Sequence, residues 1–448
     1  MPRQHRFRNW AGTHHCRPQH YHRPRSEAEI VTVVRTAAAD KLGVRVVGAG
    51  HSWNDIACTG EHLVSLDDYA GVLDVDVKQH RITVEAGIRL EQLNAVAAAH
   101  ELGLSNLGSI AKQSIAGAIS TGTHGSGARF GNLATQVIAM RMVTADGSVR
   151  TLSMTEEPEL FAAARVGLGC LGIISTVTLQ CEAAFRLEEQ AFSVPFDDAV
   201  AQMQTLVDVH EHCKLWWLPH TERVHVYCYN RTPQPTRRRN RFSAWLDESF
   251  VGRGVFALLL GAGRLVPSLI PAINRLVAKV YFQRRHRIDR SDRILNIPMP
   301  ARHREMEYAI PRAQAPEALR RIRDLIERER LKVNHVVEVR FVAADENLLS
   351  PAYGRATCQI GAYMNDAPDL ERYFDGFERL MMEMDGRPHW GKEFRVSGAA
   401  VRAMYPGWQR FDAIRRALDP DGMFANDFIW RVFERSARES PQVRRNQL

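Results

Sequence analysis

This sequence predicts an α+β fold, on three observations. A β-branched run, Val44-Arg45-Val46-Val47, opens directly into the turn Gly48-Ala49-Gly50, as a buried strand feeding a tight loop does. Strand-like alternation and helix-like spacing then take turns to about residue 184, with two more glycine-rich loops among them. Third, 448 residues with 45% hydrophobic and 25% charged content suffice for two or three globular units with large cores. The pattern divides the chain into 1–184, 185–384 with an apolar insertion at about 230–300, and a closing segment 385–448.

In order, residues 9–23 form a lead-in containing Trp10 and Cys16. Ser26 starts a helix, because its hydroxyl can accept from the free N–H groups of the first turn and apolar residues recur at helical spacing behind it. The strand and first glycine turn follow, then strand-like pieces at 63–66, 71–77 and 81–85. An alanine-rich helix spans 90–100, and Gly103 is the residue expected to end it in left-handed backbone. The alternating segment 175–179 reads as a strand, 316–329 as a helix and 333–342 as a strand. No internal repeat is visible.

Net charge is +8, carried almost wholly by arginine: of 59 basic residues seven are lysines. The excess reads as solvated surface that can also attract anionic lipids. No nucleic-acid motif accompanies it, so nucleic acid is not an expected partner. The seven cysteines (Cys16, Cys58, Cys170, Cys181, Cys213, Cys228, Cys358) are odd in number, scattered and without a Cys-x-x-Cys pair. That argues against a disulfide framework and a zinc site, and for a reducing compartment. Arg3, Arg6 and Arg8 precede no apolar stretch, so the start does not read as a secretory signal. A cytoplasmic location is expected, with peripheral contact at the inner face of the membrane as the alternative.

Two stretches depart from the average. Residues 231–241 form a basic, proline-containing loop that reads as mobile. Residues 255–267 are the most apolar window, but Arg264, Pro267, Pro271 and Arg275 interrupt it before the ~20 apolar residues a spanning helix needs. Two readings stay open: helices packed on the second unit, or a helix lying in a lipid interface between basic flanks.

The glycine loops carry the chemistry. Gly48 and Gly50 let backbone N–H groups close on an anion, although Trp53 stands where a dinucleotide fingerprint would place its third glycine. The second loop, Gly117 through Gly127, follows Gly108-Ser109 and Gln113-Ser114 and is rich in N–H and O–H donors suited to phosphate. The third is Gly167-Leu168-Gly169-Cys170-Leu171-Gly172-Ile173-Ile174.

Together with Asp55-Ile56-Ala57-Cys58-Thr59, Glu338-Val339-Arg340, His389-Trp390-Gly391-Lys392 and the tail 418–426, these motifs lie in order from residue 9 to residue 431. The chain resembles the sugar-lactone oxidase branch of the vanillyl-alcohol-oxidase flavoprotein superfamily. The resemblance implies a two-subdomain FAD-binding domain plus an α+β substrate (cap) domain built on an antiparallel sheet. It implies FAD as cofactor, hydride transfer from a CH–OH group of an aldonolactone to flavin N5, and O2 or another carrier as electron acceptor. An alditol (polyol) oxidase is the nearest alternative. The stretch Ile360-Gly361-Ala362-Tyr363-Met364 lacks the histidine of that branch, which favours lactones. A non-catalytic, membrane-associated flavin binder is the alternative from another class.

By the same resemblance, Gly48, Ala49, Gly50, His51 and Ser52 hold the cofactor from the first loop. Ser109, Ser114, Gly117 and Ala118 do so around the start of the second, and Thr121, Gly122, His124 and Gly125 further along it. Gly172, Ile173 and Ile174 complete the cradle. Alone, His51 would pass for a hydrogen-bonding residue; the resemblance makes it the covalent attachment point, a neutral ring nitrogen bonded to the flavin 8α-methyl carbon. Asp55 either fixes the His51 tautomer or caps a turn. The period of two puts Glu338 and Arg340 on one strand face and Val337, Val339 and Phe341 on the other, buried one. A surface ion pair of little worth would explain that pattern. The resemblance instead places the pair at the substrate, with Glu338 accepting from substrate hydroxyls and Arg340 stabilising developing negative charge. Lys392 is implied at the flavin N1–C2=O edge as a fixed cation. Asn426 either borders the same pocket or caps a turn.

Overall fold

The computed structural model describes residues 5–237, 254–297 and 302–434. A three-stranded parallel sheet has the order His20–His22, His62–Ser65, Val44–Val47. Beside it lies a five-stranded antiparallel sheet in the order Val149–Ser153, Val137–Val143, Ile173–Gln180, Arg81–Glu85, Val72–Asp76. Helix Glu27–Asp40 begins where Ser26 Oγ accepts from the Glu29 N–H at 3.2 Å, and it buries Ile30, Val33, Val34 and Ala37, one stripe at helical spacing. The closing helices Gly398–Met404, Trp408–Leu418 and Asp427–Phe433 return to this first core through Val401, Phe411, Phe428 and Val432.

The second core is an eight-stranded antiparallel sheet in the order Arg285–Arg290, Arg186–Pro195, Arg223–Arg231, His212–Trp217, Val337–Val342, Thr357–Met364, Arg304–Pro311, Arg387–Pro388. Its two faces differ in kind. Leu215, Val339, Ile360 and Met306 point to an apolar core under helices Phe196–Val209, Ala315–Arg328 and Leu370–Glu383. The strand period therefore sends Lys214, Trp216, Glu338, Arg340, Tyr363, Glu305 and Glu307 to the opposite face. The second glycine loop docks onto this sheet: Gly127 N–H donates to Phe341 O at 2.8 Å, and Ser126 Oγ donates to Cys213 O.

Several boundaries differ from the sequence expectation. The helix after residue 90 runs Leu90–Ala99, and the left-handed residue beyond it is Glu101 (φ 56), not Gly103. Gly103 instead pairs with Glu182 in a short ribbon. The strand expected from 333 starts at Val337, because 333–336 form a buried loop in which Asn334 Oδ1 accepts the N–H of Asn365. Apolar residues there fill space without joining the ladder.

The apolar window forms helices Phe256–Leu265 and Ile270–Tyr281. They pack on the second unit: Leu259, Ile273 and Val277 meet Leu218, Val336 and Tyr363. Their outward side leaves Leu258 74% and Leu265 84% exposed, with Leu276 and Val280 half-exposed. No described helix is long and apolar enough to cross a membrane. Of the basic loop, Arg231 ends a strand and Arg237 bridges Ile288, while residues 238–241 lie outside the described residues.

Candidate active site

All three glycine loops line one cavity that opens to solvent. Gly48 is required there because a Cβ would stand 2.1 Å from Ser114 Oγ; Gly50 has φ +66 and lies against the Phe7 ring. No hydrogen bond within the described residues takes up the N–H groups of Ala49, Gly50, His51 and Ser52. Free N–H groups beside glycines form the concavity that a diphosphate fills. Arg45 lies buried beneath them and ties the loops together, donating to Ile56 O (2.6 and 3.0 Å), Leu168 O (3.0 Å), Gly169 O (3.0 Å) and Phe424 O (2.6 Å). Burial pushes its pKa down to about 10, which leaves it charged at neutral pH.

Gly48, Ala49, Gly50, His51, Ser52, Ser114, Gly117, Thr121, Gly172 and Ile174 line this cavity. Ala118 and Ile173 do not; both are fully buried in the first core behind it. Gly122 turns toward Val166 and Pro351. Ser109, His124 and Gly125 sit on the side of the eight-stranded sheet, as their contacts below show. Arg45, Asn54 and Gln113 also border the cavity and were missed from the sequence, where a lone Arg, Asn or Gln carries no signal.

His51 stacks on Trp10 with ring centroids 5.8 Å apart. Burial, reinforced by Arg89 and Lys392, pushes its pKa down to about 4, so the ring is neutral and keeps a lone pair at physiological pH. Asp55 does not orient it: that carboxylate pairs with Arg431 at 2.7 and 3.2 Å. Asn426 is a cap, its Oδ1 accepting from Ile429 N–H at 3.1 Å while its amide holds the carbonyls of Asp55, Ile56 and Cys58.

On the sheet, all six residues of Val337–Val342 are buried, so Glu338 and Arg340 form no surface ion pair. Glu338, 3% exposed, is surrounded by donors. Trp216 Nε1 donates to Oε1 at 2.7 Å, the Tyr363 hydroxyl to Oε2 at 2.6 Å, and Arg340 Nη2 to both oxygens at 2.9 and 2.8 Å. Lys214 Nζ stands 3.9 Å away, over the rings of Trp216 and Tyr227. Burial alone would raise this carboxyl; Arg340, Lys214 and the two hydrogen bonds outweigh it and hold the pKa at about 2. Lys214 is itself pushed down to about 8 by burial. Arg340 also donates to Ser109 Oγ at 2.8 Å and to His124 O at 3.4 Å, and its Nε has no hydrogen-bond partner among the described residues. A buried donor left over in this way is available to a bound oxygen.

Lys392 Nζ lies 2.5 Å from Glu305, 3.8 Å from Glu307 and 4.1 Å over the Trp53 ring. Glu307 also bonds His124 Nε2 at 2.9 Å, and His124 Nδ1 bonds Gly125 O at 2.9 Å, so this histidine fastens the second glycine loop to the sheet. The His389–Lys392 loop is shaped from within. His389 Nδ1 accepts the Gly391 N–H at 3.0 Å, and burial pushes this imidazole down to about 3. Asn54 donates to Trp390 O and Lys392 O, each at 2.8 Å, joining that loop to the end of the first glycine loop. A nucleotide cradle and a charged, aromatic wall are thus built against each other.

Residues 18–153 match the FAD binding domain, and residues 177–432 match the family described as D-arabinono-1,4-lactone oxidase. An L-gulono-1,4-lactone dehydrogenase of Mycobacterium tuberculosis is 38% identical over 424 residues, covering 95% of this chain and 98% of that protein. An L-gulonolactone oxidase of Scyliorhinus torazame is 36% identical over 434 residues, covering 95% and 98%. The crystal structure of cholesterol oxidase from B. sterolicum superposes with a TM-score of 0.79 at 17% identity, covering 96% of this chain and 97% of that one, which is a likeness of fold. The cavity walled by free N–H groups fits the diphosphate of FAD, and this chain, an FAD-dependent flavoprotein, belongs to the D-arabinono-1,4-lactone oxidase family.

Proposed function

We propose that this protein oxidises a CH–OH group of a sugar-1,4-lactone and passes the electrons to O2 or another carrier. The observation that carries the reading is Glu338, held anionic between Arg340, Lys214, Trp216 and Tyr363 on the wall that meets the cofactor loops. Bound FAD supplies the two-electron acceptor. Glu338 is too weak a base, at a pKa of about 2, to serve as a tuned proton acceptor; with both oxygens already receiving hydrogen bonds, its role is to fix Arg340, Trp216 and Tyr363 as the polar wall that orients the reacting carbon. Arg340, with its unpartnered Nε, stabilises negative charge on the lactone oxygens. Lys392 supplies the fixed cation toward the cofactor, offset in this structure by Glu305.

Initial rates on a panel of aldonolactones and alditols, with O2 and with a dye acceptor, test the substrate class. Lactones should exceed alditols in kcat/KM by at least about tenfold, the low end of what pocket contacts discriminate. Preference for an alditol would overturn the lactone reading.

A membrane contact is proposed for the helix pair, supported by the exposed Leu258 and Leu265 beside Arg264 and Lys279. The holoprotein should sediment with anionic vesicles and be released by salt, and should ignore neutral vesicles. Absence of sedimentation with either kind would remove the proposal.

A further inference from the structure

A second cluster of ligating side chains lies outside the flavin cavity. His20 and His22 are two apart on one strand, and His62 is the register partner of His20 on the next, so all three rings share one face of the parallel sheet. The His20 and His62 ring centroids are 4.4 Å apart, and those of His22 and His62 5.1 Å. Asp40, the last residue of helix Glu27–Asp40, brings its carboxylate to 3.8 Å from His62 Nε2.

His62 is fully buried, yet its Nε2 has no hydrogen-bond partner among the described residues. Its other nitrogen, Nδ1, lies 3.0 Å from His22 Nε2. If Nδ1 carries the proton and donates it to His22, Nε2 keeps its lone pair and faces the carboxylate of Asp40. That is how a ligating histidine is commonly held: one nitrogen on the metal, the other fixed by a neighbour. Ligand atoms of His20, Asp40 and His62 all lie within 4.8 Å of one another.

We propose that His20, Asp40 and His62 bind a divalent transition metal of the Zn2+ class, with His22 orienting His62 and water completing the shell. Two imidazoles and one carboxylate suit such an ion; Ca2+ and Mg2+ would call for all-oxygen donors. His20 and Asp40 are exposed, so the site opens to solvent. A metal there ties the end of the first helix to two strands. The central strand, His62–Ser65, is also the ladder partner of Val44–Val47, which carries the first glycine loop. The role assigned is to brace the cofactor-binding unit, not to take part in the oxidation. Cysteine spacing had spoken against a zinc site; histidines brought together by strand register give no such spacing signal.

The test uses FAD-loaded holoprotein, stripped with a chelator and titrated with Zn2+ against a chromophoric competitor, with Co2+ absorption as a second readout. The surface variants His20→Ala and Asp40→Asn should each lose at least about tenfold in Zn2+ affinity, and His22→Gln about 10–100-fold through loss of orientation. In both surface variants the zinc-induced rise in thermal midpoint should vanish, while FAD content and lactone oxidation stay at parental levels. Unchanged Zn2+ affinity in both variants, or no binding by the parent at micromolar free zinc, would overturn the proposal.

Discussion

Glu338→Gln should lower kcat/KM for lactone oxidation by about two to three orders of magnitude. The carboxylate receives hydrogen bonds from Trp216, Tyr363 and Arg340 and stands near Lys214, so both oxygens are committed to donors. A glutamine presents an NH2 group where one oxygen was, and two donors then face each other. It also leaves Arg340 and Lys214 as buried cations without their shared anion. Breaking a buried pair from one side costs roughly 3–5 kcal/mol, and the share of it that falls on the transition state lowers the rate tenfold for about every 1.4 kcal/mol. Part of the penalty falls on folding, so kinetics are read on flavin-replete protein with the thermal midpoint measured alongside. Both kcat and KM should worsen, because a group that positions and polarises substrate acts before and during the chemical step. A flavin-replete Glu338→Gln with parental kcat/KM would reduce the cluster to a structural ion network.

His51→Ala should release the flavin. In the parent, FAD is proposed to be bonded to the His51 ring, and it should stay with the polypeptide after acid precipitation; in the variant it should appear in the supernatant. The cavity and its free N–H groups are unaffected by the change, so the variant should still purify with non-covalent FAD. The pH dependence follows from burial. With a pKa of about 4, the ring nitrogen is unprotonated throughout the neutral range, so attachment during reconstitution of apoprotein should fall only as the pH approaches that value. An unperturbed histidine would instead lose attachment from about pH 6.5 downward. Flavin absorbance of the precipitated pellet, measured across pH, separates the two.

The glycine loops were legible because each is a short contiguous motif, and they meet in one cavity as expected. The Glu338-Val339-Arg340 pair was legible by its period of two, although its burial was not: a charged strand face reads as solvent-exposed until the unit that covers it is seen. Lys214, Trp216 and Tyr363 were out of reach for a different reason. They stand on the two strands flanking Val337–Val342, and only antiparallel register makes Trp216 and Gly361 the neighbours of Glu338. Glu305 and Glu307 on strand Arg304–Pro311 likewise meet Lys392 and His124 from far along the chain. Local signals failed in the other direction at Asp55 and Gly103. Proximity in sequence suggested His51 or a turn for Asp55 and a helix end for Gly103, and tertiary contacts gave them Arg431 and Glu182 instead.

The most direct measurement is the visible absorbance of the bound flavin when an aldonolactone is added to the holoprotein without air. FAD-dependent lactone oxidation predicts bleaching of the oxidised flavin band within the turnover time, recovery when the acceptor is admitted, and much slower bleaching in Glu338→Gln. An oxidised flavin that no aldonolactone bleaches, in protein fully loaded with FAD, would contradict it.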